Sequence, residues 1–154
     1  MRSILLVIGM VLCASAAHAQ DAFSADRLEQ MAMAFIDAKN ARQQPDSKTD
    51  DVDAFLALLS DDFVDEHIRF GVTVTDKNEL RRGMLRKLED EVFFSAIEVQ
   101  QLMIGRNVVF VKYTETARVK PTHLDNVIEY SSISIVSLEF DDNGLITHIR
   151  RHHG

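Results

Sequence analysis

Asp65 and His67 stand two residues apart in "LLSDDFVDEHIRFG" (Leu58 to Gly71), where four carboxylates, one histidine and one arginine sit among apolar side chains. Unperturbed imidazole titrates near neutral pH, so His67 can take up and return a proton without extreme tuning. Alternate residues of a strand share a face, which places Asp65 where it could orient that imidazole and raise its pKa. Each has a plainer reading: His67 as a partly buried structural histidine, Asp65 as an acceptor for a backbone N–H near a strand start. A second pair lies in "VVFVKYTETARVK". Lys112 and Arg118 mark one face as outer, so Val109, Val111, Tyr113, Glu115 and Ala117 point inward. A carboxylate on an otherwise apolar face is costly unless it is paired or wet. Glu115 would therefore assist His67, or sit at a wet rim, and Tyr113 would donate a hydrogen bond to a substrate oxygen.

On the following strand Tyr130, Ser132, Ser134 and Val136 share a face. No nucleophile elbow or lysine surrounds the serines, so they serve as small walls and hydrogen-bond donors and not as nucleophiles. The terminal "HIRRHHG" invites a metal reading. His148 and His152 alternate to one face and His153 to the other, short of the three or four convergent ligands a metal needs. A terminal strand with solvated basic residues is the simpler account, and no metal site is expected.

The elements that must position these residues are legible in the periodicities. Leu28, Met31, Ala32, Phe35 and Ala38 recur at helical spacing over Ala25 to Asn40. A polar loop around Pro45 follows, then a second helix starting near Thr49 or Asp50, either of which can cap free amides, and running through "VDAFLALLS". Phe63 to Phe70 reads as a short strand. A third helix follows "TD", with Asp76 and Glu79 at capping-box spacing and Leu80, Met84 and Leu88 as its stripe. The remainder is β-branched and aromatic with alternating stretches, broken at Gly105-Arg106-Asn107, at the looser "PTHLDN" and at the hairpin signal "DDNG" (Asp141 to Gly144). Helices first, then antiparallel strands, predicts an α+β domain with helices on one face of a curved sheet.

"MRS", the apolar "ILLVIGMVL" and "ASAAHA" form the three parts of a secretory signal peptide, with cleavage expected after Ala19. Residues 1–19 are then a signal peptide and residues 20–154 one domain, periplasmic or secreted. Leu12 ahead of Cys13 argues against a lipoprotein. Cys13 is the single cysteine and leaves with the signal, so disulfides, thiol nucleophiles and cysteine–metal sites are excluded from the mature chain. Seventeen Lys and Arg against 24 Asp and Glu give a net charge of −7, which becomes −8 when Arg2 is removed. Such a chain suits neither nucleic acid nor an anionic membrane surface.

This order of elements, with "LLSDDFVDEHI" closing the second helix and "LEFDDNGLITHIR" forming the last hairpin, resembles the nuclear transport factor 2-like superfamily. Within it the chain is similar to the SnoaL-like and ketosteroid-isomerase-like branch, from about Ala25 to the C-terminus. The resemblance implies a cone-shaped curved antiparallel sheet, with three covering helices enclosing a mostly apolar pocket. It implies that Phe35, Val111, Tyr130, Ser132, Ser134, Val136 and Ile149 line that pocket around a small hydrophobic ligand. It also implies a homodimer, for which Phe110, Thr114, Ile133 and Ile135 supply apolar surface on the outer face of the sheet. The same fold serves isomerases, cyclases, epoxide hydrolases, dehydratases, binding proteins and assembly domains, so fold alone does not deliver activity.

In ketosteroid isomerases a carboxylate base works with a tyrosine and a protonated aspartate. Matching Asp61-Asp62 to the pair that precedes the base puts His67 at the base position. The protonated acid falls at Val136, and the first helix, with Met31, Met33 and Phe35, holds no tyrosine. The aspartate–arginine–aspartate set of the epoxide hydrolases is not evident either. Two readings follow. One is an exported small-molecule-binding protein without chemistry. The other is a cofactor-independent isomerase, lyase or hydrolase in which His67, helped by Asp65 or Glu115, is general acid and base. The missing polarising pair favours the first, and neither requires a cofactor.

Overall fold

The computed structural model describes residues 23–153. The signal-like segment, its cleavage site and Cys13 lie outside the described residues. Ser24 starts the first helix by accepting a hydrogen bond from the Arg27 N–H at 3.2 Å. Helix α1 (Ala25–Ala41) buries Leu28, Met31, Ala32, Phe35, Ile36 and, unexpectedly, Lys39. Helix α2 (Thr49–Leu56) begins one residue earlier than its expected caps allow. Lys48 is the cap position, its N–H held by the Asp51 carboxylate at 2.7 Å. The Phe35 and Phe55 rings, 5.4 Å apart, join the two helices. Helix α3 (Lys77–Lys87) is capped by Asp76, which accepts from the Asn78 N–H at 2.8 Å, and its stripe of Leu80, Met84 and Leu88 joins the core.

The segment after α2 departs from expectation. The helix stops at Leu56, and strand β1 runs Leu59–His67, four residues ahead of the predicted start. A short apolar run satisfies helical and buried-strand patterns equally well; here Leu59 pairs with Ile146, and the pairing decides. The expected strand end, Ile68–Phe70, is a 3-10 turn closed by Gly71, whose φ of 61° lies in the left-handed region that favours glycine. Strand β2 (Val72–Val74) was not anticipated.

Three long strands follow, β3 (Glu91–Ile104), β4 (Val108–Lys120) and β5 (Ile128–Phe140), and then β6 (Ile146–Arg151). The sheet order is β2-β1-β6-β5-β4-β3. All neighbours are antiparallel except β1 and β6, so the sheet is mixed where a purely antiparallel one was expected. The helices precede the meander, and the chain's two ends of the sheet meet only by running β6 alongside β1. The last hairpin forms as its sequence predicts. The Asp141 carboxylate accepts from the Asn143 and Leu145 N–H groups at 2.9 and 2.8 Å, and Gly144 takes φ 83°. The architecture is α+β, with α1 packed across β3 and β4 and three helices in all among the described residues.

Candidate functional site

Strand parity places the inward side chains as read from the sequence. Val109, Val111, Tyr113 and Ala117 of β4 are buried, and Glu115 is nearly so. Phe35, Val111, Val136 and Ile149, expected to line a pocket, instead pack with one another and their neighbours in the buried hydrophobic core.

Two polar clusters lie within this interior. In the first, Asp65 is 1% exposed and accepts two hydrogen bonds from Arg151, from Nε at 2.9 Å and from Nη2 at 2.8 Å. This forked pairing uses the planar guanidinium on both carboxylate oxygens. Arg151, which the sequence places in a solvated basic terminus, is instead only 14% exposed and paired with Asp65. His67 lies on the same face, its Nε2 3.8 Å from the Asp65 carboxylate, beyond hydrogen-bond reach, and its side chain is 35% exposed. Burial lowers its pKa, the charge of Arg151 lowers it further, and Asp65 only partly opposes them. The neutral form of the imidazole is therefore favoured. Its ring faces that of His153, 6.3 Å away, near the exposed Phe70.

The second cluster surrounds Glu115. Lys39 reaches it from α1, Gln43 Nε2 donates to Oε1 at 3.3 Å, and the Tyr130 hydroxyl donates to the same oxygen at 3.0 Å. Burial pushes the Glu115 pKa up, but the Lys39 charge and these hydrogen bonds outweigh it, so the carboxyl is held below its usual range. Lys39, 5% exposed, donates as well to Gln43 Oε1 at 3.0 Å and lies 5.5 Å above the Tyr113 ring. Burial lowers its pKa to about 8 despite the attraction of Glu115. Burial raises that of Tyr113, and burial together with Glu115 raises that of Tyr130.

A cavity of about 410 Å³ opens beside this second cluster, where the end of α1, the end of α3 and the outer turns of β3 to β5 come together. Arg42, Gln43, Glu115 and Tyr130 give it a polar floor, and Leu88, Val92, Val119 and Ile128 give it apolar walls. The lining is mixed, where a mostly apolar pocket was expected. Of the sequence-derived site residues, Glu115 and Tyr130 line this cavity; His67, Asp65, Tyr113, Ser132 and Ser134 do not. Ser132 is exposed, and Ser134 lies opposite Tyr113 in the β4–β5 register. Lys39, Arg42, Gln43 and Arg151 were missed. Lys39 carries a signal that could have found it, since it extends the spacing of Leu28, Ala32 and Phe35 and so sets a charge on the apolar stripe. Among the described residues no group of three or more His, Cys, Asp or Glu side chains is placed to hold a metal, and no helix is long and apolar enough to cross a membrane.

An unclosed sheet with three helices and a cavity at one end has close structural counterparts. An M. tuberculosis LEH-like epoxide hydrolase superposes with a TM-score of 0.61 at 18% identity, over 84% of each chain. A SnoaL-like protein from Shewanella putrefaciens gives 0.66 at 13% identity, over 81% of this chain and 88% of its own. An NTF2-like protein from Burkholderia pseudomallei gives 0.61 at 15% identity, over 83% of this chain and 91% of its own. The chain has the nuclear transport factor 2-like fold. No protein-family model matches the sequence, and no curated protein is similar enough to match. At these identities the likeness concerns the nuclear transport factor 2-like fold and its scaffold, while the cavity's chemistry rests on this chain's own residues.

Proposed function

We propose that this is an exported protein that binds a small organic molecule in the cavity floored by Arg42, Gln43, Glu115 and Tyr130, without covalent chemistry. The observation that carries the reading is the state of the two buried carboxylates. Asp65 is held by the fork of Arg151, and Glu115 by Lys39, Gln43 and Tyr130. A general base must be within reach of the proton it removes, and here both carboxylates are already engaged by cations that favour their ionised, ion-paired form. A preformed cavity of this volume, with apolar walls and a few fixed polar groups, is the usual form of a small-molecule site. Extraction of the folded, purified protein followed by mass spectrometry tests the reading: a retained compound is expected. Tyr130→Ala should weaken its rebinding by about tenfold, the effect of one lost hydrogen bond, while His67→Ala leaves it unchanged. The reverse pattern would sink the proposal.

The competing reading makes the protein a cofactor-independent isomerase, lyase or hydrolase with His67 as general acid and base. In its favour, the lowered pKa of His67 leaves the imidazole unprotonated and able to accept a proton at neutral pH. Its turnover would rise with pH and level off below the ordinary histidine value of about 6.5.

We further propose periplasmic or extracellular residence and a homodimer through the outer sheet face, where Ile133 and Met103 are 46% and 59% exposed. N-terminal sequencing of the exported protein should begin at Gln20, and light scattering at micromolar concentration should return twice the chain mass. An uncleaved chain, or a strict monomer, removes the corresponding part.

A further inference from the structure

Arg42 differs from the other largely buried charges described above, Lys39, Asp65, Glu115 and Arg151. Its guanidinium lies over the Phe55 ring, 4.7 Å from the centroid, and forms no ion pair or side-chain hydrogen bond among the described residues. Its Nε is shut off from solvent without a partner. The neighbouring carboxylates Glu115 and Asp65 attract it only from a distance, because each is ion-paired with another cation, Lys39 and Arg151. Three buried cations (Lys39, Arg42 and Arg151) thus face two carboxylates. Lys87 and Asp90, also on the cavity wall, pair with each other at 3.3 Å and leave the imbalance of one positive charge intact. Burial and the repulsion of Arg151 lower the Arg42 pKa to about 10, which still leaves it charged at pH 7.

A second orphan stands on the same wall. Ser95 is buried, its hydroxyl has no partner, and it lines the cavity with Arg42. Buried polar groups without partners are rare in folded proteins and call for a specific explanation. Here both belong to residues that line one cavity.

We propose that this cavity takes a small monoanionic carboxylate with an apolar body, held by Arg42 through a forked pair of hydrogen bonds. The inference rests on the reading of the cavity as a small-molecule site and adds the charge and shape of what enters it. A guanidinium matches the two oxygens of a carboxylate in one plane. One surplus positive charge calls for one negative charge, so a monoanion leaves the buried group neutral overall and a dianionic phosphate ester does not. Leu88, Val92, Val119 and Ile128 then receive the apolar body, and the Ser95 hydroxyl is a further donor on the wall.

Matched probes test this on the full chain. 4-Phenylbutyrate, its neutral amide and the corresponding amine are titrated separately, with binding followed by calorimetry and by ligand-observed NMR. The acid is expected to bind at least about tenfold tighter than the amide, and the amine least, which is the scale of one charge-assisted hydrogen-bonded contact. In Arg42→Gln the acid and amide should bind equally, and Arg42→Lys should restore part of the preference. Both variants should melt no lower than the wild type, because they remove an uncompensated buried charge or its poorly solvated fork. The wild-type comparison stands even if a variant fails to fold. An amide that binds as well as the acid overturns the inference while leaving the cavity reading in place, as does a preference that survives Arg42→Gln. Failure of all three probes to bind overturns both.

Discussion

Asp65→Ala is expected to lower the folding free energy by about 3–5 kcal/mol, the penalty for leaving one partner of a buried ion pair uncompensated. Arg151 would remain in the interior with both donors of its fork unpaired, 14% exposed and unable to reach water without disturbing β6. Arg151→Met should lose a similar amount for the mirrored reason. The double variant Asp65→Leu/Arg151→Met should recover much of the loss, because an apolar pair of similar volume replaces an ion pair whose desolvation nearly cancels its attraction. Urea denaturation of the three variants measures all of this. A loss below 1 kcal/mol in Asp65→Ala would mean that Arg151 escapes to solvent and that the fork contributes little.

Glu115→Gln should destabilise the protein by roughly 3 kcal/mol at pH 7, since it strips the buried Lys39 of its counter-charge. The pH dependence carries the sign. Lys39 has a folded pKa of about 8, below its ordinary 10.5, so between those values the unfolded chain binds the extra proton. Stability attributable to Lys39 therefore rises with pH across that window, at no more than about 1.4 kcal/mol per pH unit for a single proton. Removing Glu115 takes away the attraction and the hydrogen bond that raise the Lys39 pKa. The folded value falls below 8, and the rise begins at lower pH. Denaturation of wild type and variant at pH 6, 7, 8 and 9 should show the gap narrowing toward pH 9. A gap that stays constant or widens would show that Lys39 is not charged in the folded protein.

The parts of the fold that were legible are those fixed by local pattern. The stripes of α1 and α3, the "DDNG" turn and the parity of β4 each follow from side chains within a few positions of one another. Leu59 was misplaced because a short apolar run fits a helix end and a buried strand alike, and its partner Ile146 lies far along the chain. The parallel pairing of β1 with β6 is likewise set by tertiary contacts and has no local signature. In the site, Glu115 was legible as an inward carboxylate, but its pairing depends on Lys39 and Gln43 arriving from another element. The family resemblance places Phe35, Val111, Val136 and Ile149 along a pocket, and in sequence an inward-facing residue looks the same as a ligand-facing one. Only packing separates them: those four join the buried core cluster, while the cavity lies beside Arg42.

The position of β6 has a consequence for the order in which the molecule can assemble. It is the last strand in the chain, yet it lies third in the sheet, between β1 and β5. Until it is in place, β1 with β2 and the β3–β5 meander are two half-sheets, each with an open edge of unpaired N–H and C=O groups. The Arg151–Asp65 fork closes the gap between residues 86 positions apart, a contact reached only after most chain entropy has been spent. A nascent chain that has not yet released Ile146–Arg151 cannot complete this sheet.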